Sequence, residues 1–259
     1  MTLIMSRIIA VANQKGGVGK TTTSINLGAS LVKTRRRVML VDMDPQGNAT
    51  MGSGIDKQGL TRSTYEVLIG DATIAAARLT TAAGYDLVPA NDQLSGAQVE
   101  LIELERRERR LQEALVPVAG EYDYVLIDCP PALNLLTVNA LVAADAVMIP
   151  MQCEYYALEG LTALLAIIDK VRQSLNPRLK IEGLLRTMFD PRNNLDNEVS
   201  AQLKQHFGHV LYRTIIPRNV RLAEAPSYGK PVISYDLQSK GAQAYLALAG
   251  EILRRDEAA

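Results

Sequence analysis

Apolar residues in this chain gather into short continuous runs, and stretches of helical periodicity separate them. The runs are Ile8–Val11, Val38–Val41, Tyr85–Val88, Tyr124–Asp128, Ala146–Pro150, Leu179–Met188 and Tyr212–Ile216. Each reads as a strand, and the most apolar of them as strands buried on both faces. Between them, apolar positions recur every three to four residues. That spacing predicts helices over Thr21–Val32, Ala132–Val142, Glu154–Leu175, Leu195–Phe207 and Gly241–Arg254. In the third of these, Leu158, Leu161, Leu164, Leu165 and Ile168 should face inward. Residues 92–116 read as a further helical stretch carrying Val99, Leu101, Ile102, Leu104, Leu111 and Leu115, with the mixed-sign cluster Glu103–Arg110 as its ion-paired outer face. Residues 48–82 read as a loop with short helical pieces such as Ser63–Ile69, and Val220–Ala225 as a helical turn.

Strands alternating with helices are the signature of an α/β fold, a mostly parallel twisted sheet with helices on both faces. The chain has no internal repeat, low-complexity tract or linker, so residues 1–259 read as a single domain. Composition adds limits rather than direction. With 47% apolar residues the chain can bury a sizeable core, and 28 basic residues balance 28 acidic ones, so nucleic-acid binding would require a local patch. Two cysteines are too few for a disulfide framework, which suits a reducing cytosol. Met1–Met5 is too short for a signal peptide, and no run approaches the roughly 18 apolar residues of a membrane helix.

The chemistry is concentrated in Asn13-Gln14-Lys15-Gly16-Gly17-Val18-Gly19-Lys20-Thr21-Thr22, between the first strand and the first helix. Strand, glycine-rich turn and helix N-terminus make a phosphate cradle of the P-loop NTPase type, with backbone N–H groups turned inward. Lys20 can reach the β- and γ-phosphates and the Thr21 hydroxyl can hold Mg²⁺. The strict pattern G-x-x-x-x-G-K-[ST] calls for glycine at position 14, where this chain has Gln14, and a second lysine, Lys15, opens the loop instead. A dinucleotide site is disfavoured, because Gly17-x-Gly19-x-x-Thr22 lacks the third glycine.

Three acids stand at the ends of two of the apolar strands. Asp128 closes an apolar strand and reads as the Mg²⁺ carboxylate, while Asp44 is placed to orient an attacking water near the γ-phosphate. Asp42, two residues earlier, lies deeper or on the other side and reads as a supporting group for Lys20 or the metal. Lys15 has two readings: a contact to the phosphates of a facing subunit, or a solvated surface lysine. Cys129 and Cys153 fit small apolar filling better than an iron–sulfur cluster, and His206 with His209 lacks a third metal ligand nearby. Arg35-Arg36-Arg37 reads as a solvated corner. Residues 178–221 carry eight Lys/Arg against four Asp/Glu, and Arg192, Arg218 and Arg221 fit either phosphate contacts or ordinary surface.

The loop Lys15–Thr21, the segment Asp42-Met43-Asp44-Pro45-Gln46-Gly47-Asn48, Asp128-Cys129-Pro130-Pro131 and the segment Ile216–Pro226 together resemble the ParA/Soj family of deviant-Walker partitioning ATPases, related to MinD. The resemblance runs from about residue 6 to 254. It implies ATP and Mg²⁺ as cofactors, bound by the loop residues Lys15, Gly16, Gly17, Val18, Gly19, Lys20, Thr21 and Thr22. It also implies an ATP sandwich homodimer in which Lys15 contacts nucleotide across the interface, Asp44 positions the hydrolytic water, and Pro217 and Asn219 lie near the adenine. Arg192 and Arg221 align with arginines that bind DNA without sequence preference. A ParB-type centromere-binding partner would stimulate hydrolysis and release a cytoplasmic, nucleoid-associated protein from DNA. The alternative is a MinD-like or other ParA-like ATPase positioning a membrane-associated or protein cargo. Against a membrane anchor, Gly241–Arg254 reads as packed on the domain, and Asp256-Glu257-Ala258-Ala259 is too short and acidic.

Overall fold

The structure is a computed structural model that describes residues 6–155 and 157–257. The readings placed on Met1–Met5 and on the final two residues lie outside that range. Seven strands form one sheet: β1 (Arg7–Val11), β2 (Val38–Asp42), β3 (Leu79–Thr80), β4 (Asp86–Val88), β5 (Tyr124–Asp128), β6 (Ala146–Gln152) and β7 (Lys180–Thr187). Their order is β3-β4-β2-β5-β1-β6-β7, and every pairing is parallel except β3 with β4.

Every residue of β2 and β5 is buried, because helices cover both faces of the sheet. Alternate residues serve alternate faces. Ala10, Met39, Val41, Val125 and Ile127 point into one core, together with Leu101, Leu136, Leu161, Leu164 and Ile168 from the helices over it. Ile9, Val11, Val38, Leu40 and Leu126 point into the other, where Ile25, Leu27 and Leu31 meet Tyr245, Leu248 and Ile252. The second core lies under two helices, Lys20–Lys33 and Lys240–Glu257. No helix among the described residues is long and apolar enough to cross a membrane.

Three features depart from the sequence reading. The first is β3, an antiparallel edge strand of two exposed residues inside the expected loop. The second is the break of 92–116 into two helices, Leu94–Glu103 and Arg110–Leu115. The run Glu105–Arg110 has no apolar side chain to bury, so nothing offsets the cost of continuing the helix, and Arg106 takes a left-handed φ of 54°. Within the cluster Arg107–Glu108 forms, Arg106 pairs with Glu113 beyond it, and Arg109 and Arg110 donate to the carbonyls of Leu175 and Leu68. Val99 and Ile102 are exposed.

The third departure is Tyr212–Ile216, which is not a strand. It runs beside β7 and touches it through bridges at Leu184–Leu211 and Phe189–Pro217. Between them the ladder is interrupted because Glu251 of the last helix takes the backbone amides. Its carboxylate accepts from Arg213 N at 2.9 Å, and from Thr214 N and Oγ1 at 2.8 and 2.7 Å.

Candidate nucleotide site

β1 ends beside the sheet's central strand, β5, and the glycine-rich loop carries the chain from Val11 into the helix Lys20–Lys33. Gly17 and Gly19 take φ of 74° and 87°, a region that side-chain-bearing residues rarely occupy. Gly19 is the N-cap and makes no side-chain cap bond, so the first-turn N–H groups keep their capacity to bind an anion. Asn13 anchors the loop. Its Nδ2 donates to the Pro150 carbonyl (2.8 Å) and its Oδ1 accepts from Lys15 N (3.0 Å).

Lys20 is buried and donates from Nζ to the Lys15 carbonyl at 3.1 Å. Burial lowers its pKa, and the negative charges of Asp128 and Asp44 oppose the shift. The parallel register sets Asp42 directly beside Asp128. Asp128 is wholly buried and accepts from Thr21 Oγ1 and Ser24 Oγ, both at 2.8 Å. Burial, and next the charge of Asp42, push its pKa up to about 7. Asp42 is raised to about 6, mainly by burial.

Asp42 does not support Lys20 or the Thr21–Asp128 pair directly, contrary to the sequence reading. Its carboxylate accepts from Asp44 N (3.1 Å) and from Thr50 N and Oγ1 (2.9 and 2.8 Å). It therefore fixes the turn that carries Asp44. Asp44 in turn accepts from Gln46 N at 3.0 Å.

A cavity of about 710 Å³ is lined by Gly16, Gly17, Lys20, Thr21, Asp44 and Pro130, among others. A second, of about 340 Å³, is lined by Thr187, Ile216, Pro217, Asn219, Leu222 and Tyr245, among others. Gly19, Thr22, Met188 and Pro226 line both, so the two adjoin. The first is the more polar of the two and faces the helix N-terminus. The second is mostly apolar, and the buried Asn219 Oδ1 there has no hydrogen-bond partner. The pair has the form of a phosphate end and a base end.

The remaining candidates lie elsewhere. Val18 is buried in the loop rather than lining either cavity, and its carbonyl accepts from Thr187 Oγ1 at 2.8 Å. Lys15 is ion-paired with Glu154 of the same chain. Arg192 pairs with Asp190 at 2.7 Å and holds that carboxyl down at about 2. Arg221 pairs with Glu224 at 2.8 Å and Asp236 at 3.3 Å. Both arginines lie on the surface, outside the two cavities. Cys129 and Cys153 are free and buried, and burial raises both thiols, Cys153 to about 11. Among the described residues no group of three or more His, Cys, Asp or Glu side chains is arranged to hold a metal ion.

Sequence reasoning missed Ser24, Thr50, Gln152, Thr187 and Met188. Ser24 had a signal, since it sits three residues after Thr21 on the same helix face. Gln152 and Thr187 reach the loop across more than a hundred residues, and Thr50 bonds Asp42 eight residues before it.

A family model described as an AAA domain matches residues 6–181. The chromosome partitioning protein ParA of Myxococcus xanthus is 55% identical over 253 residues, covering 97% of this chain and 89% of that protein. The sporulation initiation inhibitor protein Soj of Bacillus subtilis is 55% identical over 249 residues, covering 96% and 98%. Among solved structures, cobyrinic acid a,c-diamide synthase from Mycobacterium smegmatis with bound ADP and magnesium superposes with a TM-score of 0.85 at 40% identity, covering 98% of this chain and 96% of that one. Identity of 49–55% over nearly the whole chain to proteins named ParA and Soj, together with a glycine-rich loop carrying two lysines, leads to one assignment: the chain belongs to the ParA/Soj family of chromosome-partitioning ATPases.

Proposed function

We propose that this chain, acting as a single domain, hydrolyses ATP to ADP and phosphate with Mg²⁺. Its ATP-bound homodimer binds DNA without sequence preference, and a ParB-type partner releases it by speeding hydrolysis. The observation that carries the reading is the convergence of Lys20, Thr21 and Asp44 on one cavity that adjoins a second, largely apolar one. Lys20 is the phosphate ligand, and Pro217 and Asn219 receive the base. The donor set fits Mg²⁺, since Thr21 and Asp128 offer hard oxygen ligands 2.8 Å apart at the phosphate end. Bound there, Mg²⁺ neutralises charge on the phosphate oxygens. Asp44 orients the attacking water, with its backbone fixed through Asp42. Lys15 exchanges its pairing with Glu154 for the nucleotide of the facing subunit.

DNA binding falls to Arg192 and Arg221. Each protomer supplies few cations, so dimerisation matters by doubling them. Four phosphate contacts give a slope of about −3.6 in log K against log salt, or about a hundredfold loss from 50 to 200 mM. The same electrostatics place the protein on the nucleoid in the cytoplasm. The test is binding of the Asp44→Ala protein to non-specific duplex DNA, with ATP and with ADP, across a salt series. Tight, salt-sensitive binding with ATP alone is expected. An ATP dimer that ignores DNA would sink the DNA reading and leave the positioning of a membrane-associated or protein cargo.

A further inference from the structure

β7 ends against the phosphate loop. Thr187, its last residue, is buried, and its hydroxyl donates to the Val18 carbonyl at 2.8 Å. Gln152, the last residue of β6, lies beside Thr187 in register. Its Nε2 reaches the Gly17 carbonyl at 3.4 Å and the Met188 sulfur at 2.6 Å. Met188 holds a left-handed φ of 51°, costly for any residue with a side chain, and lines both cavities. Phe189 then donates its N–H to the Ile216 carbonyl at 3.1 Å and accepts from Arg218 N at 3.2 Å. Three successive residues thus bear on the phosphate loop, the junction of the cavities and the segment beside the base.

In a trans peptide the carbonyl and the following N–H point in opposite directions. A Val18 carbonyl turned toward Thr187 therefore turns the Gly19 N–H away from β7. A Gly17 carbonyl turned toward Gln152 does the same for the Val18 N–H. These are amides that a phosphate at the helix N-terminus would use. We infer that Thr187 is a positioning residue for the phosphate loop, with Gln152 as its helper: they hold two loop carbonyls outward so that the next two N–H groups are set for the nucleotide before it arrives. The inference rests on the nucleotide reading of the site.

The test compares Thr187→Val and Thr187→Ser with the parent for MgATP affinity by calorimetry, for kcat and KM, and for melting without nucleotide. Valine keeps the shape and removes the donor. The expected result is MgATP binding weakened about tenfold in Thr187→Val, seen chiefly in KM, and restored to within about threefold by serine. A merely structural role would lower the melting temperature and leave the MgATP dissociation constant unchanged, so an affinity within about twofold of the parent overturns the inference. If Thr187→Val does not fold, Gln152→Leu serves in its place, with about threefold weaker binding expected and unchanged binding counting against the inference. A parent protein that fails to bind MgATP would overturn the nucleotide reading itself, a different result from a parent that binds and a variant that binds equally well.

Discussion

Replacing Asp42 by asparagine sets two effects of known sign against each other. The side chain is wholly buried and accepts three hydrogen bonds, one from Asp44 N and two from Thr50. Asparagine has one acceptor oxygen. Its best placement keeps that oxygen on Thr50 and turns the NH₂ toward Asp44 N, so one bond is lost and a donor faces a donor. The cost is about 1–3 kcal/mol at any pH. The opposing effect comes from charge. Burial raises the Asp42 pKa to about 6, whereas an unfolded carboxyl titrates near 3.9. A carboxyl raised on folding contributes stability that is full below the unfolded value and is lost as pH rises through the folded one. The ionised Asp42 therefore costs the parent about 3 kcal/mol at pH 8 and about 1 kcal/mol at pH 4.5. An asparagine side chain does not titrate and carries no such dependence. Asp42→Asn should accordingly be less stable than the parent by about 0–2 kcal/mol at pH 4.5, and the difference should move by about 2 kcal/mol in the variant's favour at pH 8, enough to abolish or reverse it. Relief of the neighbouring Asp128, whose pKa the Asp42 charge raises, acts in the same direction. Urea unfolding of nucleotide-free, Mg²⁺-free protein at the two pH values, with equal m-values, measures the difference. A stability gap that is the same at both would refute the reasoning. With Asp44 N no longer held, hydrolysis should fall as well.

Lys20→Ala removes the buried ammonium at the phosphate end and should weaken ATP binding at least about a hundredfold by calorimetry; parental affinity would take Lys20 out of the site. With Cys153 raised to about 11, only about one thiolate in a thousand is present at pH 8, and the fraction grows as pH rises. Neither cysteine should be alkylated in the native protein over minutes, and both should be after unfolding; rapid native labelling would contradict their burial. Arg221→Glu should leave ATP-driven dimerisation intact, weaken DNA binding and reduce the salt slope by about 1.8, two phosphate contacts per dimer. Unchanged DNA affinity would place the DNA surface elsewhere.

The strands that could be read from sequence are the ones buried on both faces. β1, β2, β5, β6 and β7 could be read with ends correct to within a residue or two, since covering helices demand apolar side chains at most positions, although β7 also carries Glu182, Arg186 and Thr187. β3 left no such trace because Leu79 and Thr80 are both exposed and the strand is defined by its pairing with β4. Tyr212–Ile216 carried the strand signal, but Glu251, more than thirty residues later, took the amides a ladder would have used. The candidate site divides in the same way. The glycine-rich loop is a local sequence, so its turn into the first helix could be read in advance. The jobs of Asp42 and Thr187 depend on partners 8 and 169 residues away, and no local pattern records them. The partner of Lys15, Glu154, lies 139 residues away.

The helix Lys240–Glu257 closes over the helix that follows the phosphate loop. Tyr245 meets Thr23 at 3.1 Å, and Asp256 reaches back to Arg7 and Tyr124. In order of synthesis the loop comes first and its cover last. A ribosome adding about 5–20 residues per second spends roughly ten seconds to most of a minute between the two. Throughout that time Ile25, Leu27 and Leu31 lack their partners Leu248 and Ile252, and β1 waits for β5 and β6, each more than a hundred residues downstream. The nascent chain therefore carries an uncovered apolar face and closes late, in a step dominated by distant contacts. A ribosome that stalls within the last helix releases a chain whose phosphate loop is complete in sequence but has no covered helix to stand on, and such a fragment is a substrate for proteolysis rather than a partial ATPase.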